Sequence, residues 1–471
     1  MAELSSSLAR LVAFRAELYA CCTRRRDALL ELGDALLCAQ AIPSVAHLSL
    51  EPAHRRGWGS AYAALARGGI DAEQVRDLLV RHPLDEGLPI FAVDATCWAR
   101  CDANCSPQRG LYYHPLRHSA GQPIVAGWAF QWIAQLSFTR DSWTAPLDAR
   151  RLRPHDNHNQ VAVAQIRELL DRLPTSGQVP LFVFDAGYDP TGLVLGLAEA
   201  PAAILVRLRS GRCFYADPPP RAPTVKGGRP RRHGAKLDTG NPATWPAPTA
   251  SHTEDDHQYG RVHLQAWAGL HPKQQLHATR GTKQPRPIVR GTLVRLQVER
   301  VPANTRPPQV LWLWWHGPGT PELAMLWRAY VRRFDLEHTI RFCKQTLGWT
   351  TPRPRHPEQA DRWTWLVLAA YTQLRLARCV VSDRRLPWER PRPAGRLTPG
   401  RVRRGFPQLL AQLGSPASAP KPCGRSPRRP RAAAAAQQPA IQRSRRPPNQ
   451  QQPERERPPS QPAANPTTRQ A

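Results

Sequence analysis

Two short apolar runs, each closed by an aspartate, constrain this chain more than any other feature. Leu88 to Val93 (LPIFAV) leads into Asp94, and Pro180 to Phe184 (PLFVF) into Asp185. Apolar runs this short, bounded by turn residues, read as buried strands, since a helix needs about ten residues or more. Around them the period changes. Asn159 to Leu173 and Leu193 to Glu199 have helical spacing, Ala203 to Leu208 is another strand, and IVAGWAFQWIAQLSF from Ile124 supplies bulky side chains for adjacent core strands. The pattern predicts a mixed α/β sheet. Strand ends expose side chains at crevices, so Asp94 and Asp185 are expected side by side on neighbouring strands. Two close carboxylates repel, and a divalent cation relieves that repulsion. An aspartate after an apolar run is also a common turn former, and Asp102 and Asp189 compete for the same roles.

Upstream, Leu8 to about Gln40 and Ala61 to Leu79 have helical periodicity on either side of a loop with Pro52 and Gly57, which predicts a helical module over 1–82, a candidate DNA-binding module by its arginines. Its Arg24, Arg25, Arg26, Arg55 and Arg56 are candidate contacts, each equally readable as solvated surface arginine. After Arg209 the composition breaks. DPPPRAPTVKGGRPRRHGAKLD, from Asp217, is a basic Pro/Gly loop in which Lys226, Arg229, Arg231, Arg232, His233 and Lys236 form a candidate phosphate-contacting arm. Tyr259 to Trp267 and Ile288 to Val298 read as strands, so 210–306 is expected to be a β-rich insertion dividing the core into 83–209 and 307–382. The run VLWLWWH, from Val310, restores a core strand, with Trp314 and Trp315 better suited to packing than to base stacking. DRWTWLVLAAYTQLRLAR, from Asp361, predicts an apolar helix that closes the fold.

The 471 residues carry a net charge of +30, which points to a polyanionic partner. Residues 391–471 hold 16 Lys and Arg against 2 Glu, leaving +16 on the first 390 residues, so the folded part is basic too. A Pro/Arg/Gln-rich tail over 383–471 has too few apolar groups to offset the entropy of ordering it and is expected to be disordered. No apolar run of 18 residues exists, so neither a transmembrane span nor a secretory signal is expected. Ten Cys do not make a disulfide framework, which fits a reducing cytoplasm. Cys97, Cys101 and Cys105 lack zinc-knuckle spacing and read as thiols rather than as a structural zinc site.

In YVRRFDLEHTIRFCKQTLGW, Tyr330 to Trp349, helical spacing puts Tyr330, Arg333, Glu337, Arg341 and Lys344 on one broad face, with Phe334, Ile340 and Leu347 on or near another. Ordinary i,i+4 ion pairs also produce such a ladder. However, Tyr330-x2-Arg333-x3-Glu337-x6-Lys344 resembles the Y-(2)-R-(3)-E-(6)-K signature of bacterial insertion-sequence DDE transposases. Asp94 in FAVDATCW and Asp185 in FVFDAGYD stand where that family has its two aspartates. The blocks from Arg100 (RCDANCSPQRGLYYHPLRHSAGQPIVAGW) and from Gly228 (GRPRRHGAK) are similar to those of a branch of the superfamily. The similarity spans roughly Leu8 to Arg378.

The resemblance implies an RNase H-like core with a β-rich insertion between the second aspartate and the glutamate. It implies Asp94, Asp185 and Glu337 as catalytic ligands of two divalent ions, Mg2+ with Mn2+ as a substitute. Tyr330, Arg333 and Lys344 become DNA contacts, beside Arg229, Arg231 and Arg232 of the basic arm. The implied partners are double-stranded DNA, namely terminal inverted repeats and target DNA, with a homodimer to pair the ends and a bacterial, nucleoid-associated location. A nuclease without strand transfer, or an inactive domesticated DNA-binding protein, shares the same residue types.

Overall fold

The computed structural model describes residues 2–84, 89–114, 123–175, 177–220, 231–273, 276–279, 282–285, 287–301, 310–393 and 395–421. Residues 1–420 form one compact unit. In chain order the elements begin with α1 (Ala2–Cys21), β1 (Cys22–Arg24), α2 (Arg26–Cys38), α3 (Val45–Leu48), α4 (Trp58–Arg67), β2 (Gly69–Ile70) and α5 (Ala72–Val80). The core opens with β3 (Ile90–Ala99), β4 (Gly110–Tyr113), β5 (Ile124–Gln135), β6 (Ala145–Leu152), α6 (His158–Leu170), β7 (Leu181–Phe184), α7 (Pro190–Gly196) and β8 (Ala203–Arg207). Then come β9 (Cys213–Tyr215), β10 (Lys236–Asp238), β11 (Ala250–Asp256), β12 (Gly260–Pro272), β13 (Leu276–Thr279), β14 (Thr282–Pro285), β15 (Gly291–Val298) and β16 (Val310–His316). Three helices follow, α8 (Leu323–Gln345), α9 (Pro357–Leu376) and α10 (Pro399–Leu413).

The predicted mixed sheet is present, with twelve strands. β3 and β5 pair antiparallel, β6 extends β5 antiparallel, and β7 and β8 join on the other side of β3 as parallel neighbours. Three antiparallel strands followed by two parallel ones, connected through α6 and α7, make an RNase H-like core. Those helices supply the crossover connections that parallel neighbours need. α6 packs on one face, where Gln165 bonds Gln131, and the segment after α8 packs on the other, where the Trp349 ring meets Trp132 at 5.0 Å.

The expected insertion is β-rich, but it does not stand apart from the core sheet. β16 pairs antiparallel with β8, and β15, β12 and β9 continue outward from it. Leu293, Leu313 and Trp314 are fully buried, so the apolar pattern there serves one continuous core. Trp314 and Trp315 are 0 % and 7 % exposed, as packing predicts.

The opening helices likewise pack into the whole. Arg15 of α1 forks onto Asp34 of α2 at 2.6 and 2.9 Å and bonds Gln373 of α9 at 2.7 Å. Arg55 and Arg56, candidate DNA contacts, are both paired with the buried Glu31. The folded part also reaches beyond residue 383. α10 carries Val402, Phe406 and Leu409 on one face at helical spacing, and all three are buried. Averaging composition over a Pro/Arg-rich segment hid that local period. Residues 422–471 lie outside the described residues. Among the described residues, no helix is long and apolar enough to cross a membrane, and no group of Cys, His and acidic residues could hold a metal as they stand.

Candidate active site

Register explains why the two aspartates meet. β3 and β7 run parallel with Val93 opposite Phe184, so Asp94 and Asp185 are the next residues on adjacent chains. β7 ends there, whereas β3 continues to Ala99 along β5, with Asp94 opposite Trp132. Asp94 is therefore mid-strand rather than at a strand end, beside the notch left where its parallel neighbour stops. Asp94 Oδ1 accepts the Ala95 N–H at 2.8 Å.

α8 packs against β3 and β7 and delivers the third acid. Arg333, 2 % exposed, lies among the three carboxylates: its guanidinium is 2.8 Å from Glu337, 3.6 Å from Asp94 and 3.9 Å from Asp185. Only the Glu337 contact is a full hydrogen bond. Nε and Nη1 of Arg333 are buried without a hydrogen-bond partner. Its face also lies over Phe334, 4.8 Å from the ring centroid. Phe334 is exposed at 38 %, on the open side of the helix rather than in an apolar stripe.

The electrostatics follow from this crowding. Burial pushes the Asp94 carboxyl up to about 6; Arg333 opposes that rise, while Glu337 and Asp185 add to it. Burial works against the Arg333 charge, but the three acids outweigh it and hold its pKa above the ordinary value. Tyr188, buried beneath the site, is raised well above the usual phenol range by burial, with Asp94 adding to the rise.

The remaining expected residues separate into three groups. Lys344 sits in the site wall, its Nζ donating to Thr96 Oγ1 at 2.6 Å and lying 5.8 Å from the Trp349 ring centroid. Tyr330 is 1 % exposed, its hydroxyl buried without a hydrogen-bond partner, so it supports Arg333 from behind rather than facing solvent. Arg231 and Arg232 are exposed ahead of β10, and Arg229 lies outside the described residues. The competing aspartates are occupied elsewhere. Asp102 is bonded by Arg100, and Asp189 caps α7 by accepting from Thr191 and Gly192.

Sequence reasoning missed Arg207, which ends β8 and lies 3.4 Å from Asp185. Its signal was the same as for the aspartates, a short apolar strand (AILVR) ending in a charge.

The donor set fits a hard divalent cation in kind: three carboxylates and no sulfur. Arg333 and Arg207 balance only part of their charge.

An RNase H-like sheet with acids from two central strands and a late helix defines a class of nucleic-acid phosphodiester enzymes. Residues 17–273, more than half of the chain, match the family described as DDE superfamily endonuclease, and the chain belongs to that family. The match takes in Asp94 and Asp185 and ends before α8. Enzymes of this superfamily act on DNA and generally use divalent metal ions. No curated protein matches the chain.

Proposed function

We propose that this chain is a DNA transposase that cleaves at transposon ends and joins the freed 3′-hydroxyl to target DNA. The observation that carries this reading is the convergence of Asp94, Asp185 and Glu337, from three separate elements, on one buried cation, Arg333. Asp94, Asp185 and Glu337 would hold the metal. When bound, divalent metal supplies activation of the attacking hydroxyl and charge neutralisation on the leaving oxygen.

The chain's own residues then have defined tasks. With metal on the carboxylates, Arg333 would offer a planar fork of donors to a phosphate, its Nε and Nη1 having no hydrogen-bond partner among the described residues. Lys344 adds a point charge beside Thr96 on the strand that carries Asp94. Tyr330 and Phe334, whose rings meet edge-on at 6.0 Å, brace the guanidinium together. No protein nucleophile is required, because water and a DNA 3′-hydroxyl serve in turn at the same carboxylates.

The test is to incubate purified protein with Mg2+ or Mn2+ and DNA containing the terminal repeats that flank its gene. Cleavage leaving 3′-hydroxyl ends, followed by joined products with a second duplex, is expected. Cleavage without joining would reduce the reading to an endonuclease, and undiminished cleavage by Glu337→Gln would remove Glu337 from the site.

A further inference from the structure

β3 and the chain that leaves α8 run alongside one another for some distance beyond the carboxylates. Lys344 meets Thr96, the Trp349 ring lies 5.9 Å from Trp98, and Arg100 donates to the Pro354 carbonyl. Thr96, Trp98 and Arg100 alternate onto the same face as Asp94, and Trp98, Trp349 and Arg100 are buried, so this seam is packed protein that sets a distance rather than a groove for DNA. At ~3.3 Å per strand residue, the step from Asp94 to Arg100 covers about 20 Å.

Beyond Pro354, at the far end of this seam, is a cavity of about 360 Å³, within the size range of small-molecule sites. The loop after α8 contributes Arg353 and Arg355, and α4 contributes Tyr62; no carboxylate is among the described residues that line it. Both arginines are exposed, and neither side chain is hydrogen-bonded among the described residues. Asp102, whose charge Arg353 supports, is already bonded by Arg100. Tyr62 is 46 % exposed, and one helical turn earlier Trp58 is 68 % exposed, the two rings meeting edge-on at 6.2 Å. Neither ring is needed for the core.

Exposed aromatic faces next to unpaired arginines are what an unstacked nucleobase and its phosphate require: a π surface for the base and a fork of donors for the anion. A stacked duplex hides its base faces and has no use for the rings. We propose that this cradle binds a single-stranded nucleotide of the DNA strand leaving the carboxylate site. It rests on reading that site as one that acts on DNA.

The experiment uses the full chain without added metal and a duplex bearing a single-stranded 3′ extension of about six nucleotides, which covers the separation of about 20 Å even at the ~3.4 Å per nucleotide of stacked DNA. 2-Aminopurine replaces a base in the extension. The tailed duplex is expected to bind about tenfold more tightly than the blunt one, with the fluorescence quenched on binding. The pair of substitutions Trp58→Ala and Tyr62→Ala abolishes both effects, and Arg353→Glu with Arg355→Glu does the same through the phosphate. Equal affinity for tailed and blunt DNA, or a preference that survives both pairs of substitutions, overturns the proposal. Metal-dependent cleavage of blunt DNA is scored separately: its failure in the unsubstituted chain tells against the carboxylate site and leaves the tail preference to stand or fall by itself.

Discussion

Arg333 Nη1 lies 3.6 Å from Asp94 Oδ2, which joins the late helix to the central strand through an ion pair with a buried cation. Removing that cation leaves three acids facing one another. Arg333→Met is expected to cost about 2 kcal/mol of stability in the presence of a chelator, and excess Mn2+ should recover much of the loss. Thermal unfolding with and without Mn2+ measures both; an unchanged midpoint in chelator would show that Arg333 does not balance these charges.

Asp94 and Asp102 are close in sequence but differ in company, one beside Arg333 and the other beside Arg100. Asp94→Asn and Asp185→Asn should each lower the metal-dependent cleavage rate by about a hundredfold or more, whereas Asp102→Asn should leave it within about twofold. The reverse ranking in a gel-based cleavage assay would move the first ligand to Asp102.

Lys344 offers a test that needs no chemistry. Replacing it with Met should weaken DNA binding across all sequences and reduce the slope of log affinity against log salt by about 0.9, the value for one lost phosphate contact. Fluorescence anisotropy over a salt series reads the slope directly, and an unaltered slope would mean that Lys344 serves only its bond to Thr96.

Far from the acids, His82 should make the fold acid-sensitive. Burial pushes its imidazole down to about 4, and Arg375 and Arg10 act in the same direction against a smaller opposing pull from Glu17. The unfolded chain takes up this proton at around pH 6.5 and the folded chain only near 4, so stability is lost as pH falls through that window. By about pH 5 the loss should be about 2 kcal/mol, and His82→Gln should flatten it. Urea midpoints at neutral and mildly acid pH decide the point.

Much of the core was legible because strands buried on both faces announce themselves. LPIFAV, PLFVF and VLWLWWH lie within or beside β3, β7 and β16, and the aspartates that follow the first two are brought into register. What stayed hidden depends on the third dimension. β6, read from APLDARRL, mixes charge into its strand because Arg150 and Arg151 find Glu168 and Asp361 on other elements. Arg333 was visible as part of a ladder, but that it would be buried among all three acids, and Tyr330 buried behind it, follows only from how α8 lies against β3 and β7. Helical spacing gives neighbours along one helix and says nothing of what is opposite.

The pairing of β16 with β8 has a consequence for how the site tolerates change. The chain leaves the core at Arg207 and re-enters at Leu313, its direct partner across the strands. What is threaded between those two points begins and ends at the same place, so the turns between its strands can change length at small entropic cost. The long interval between Asp185 and Glu337 is thus not a ruler for the active site. A lineage could lengthen or trim the turns between the intervening strands, while β15 and β12, buried beside β16, and β11, whose Glu254 pairs with Arg328, stay to hold α8 and its glutamate opposite the two aspartates.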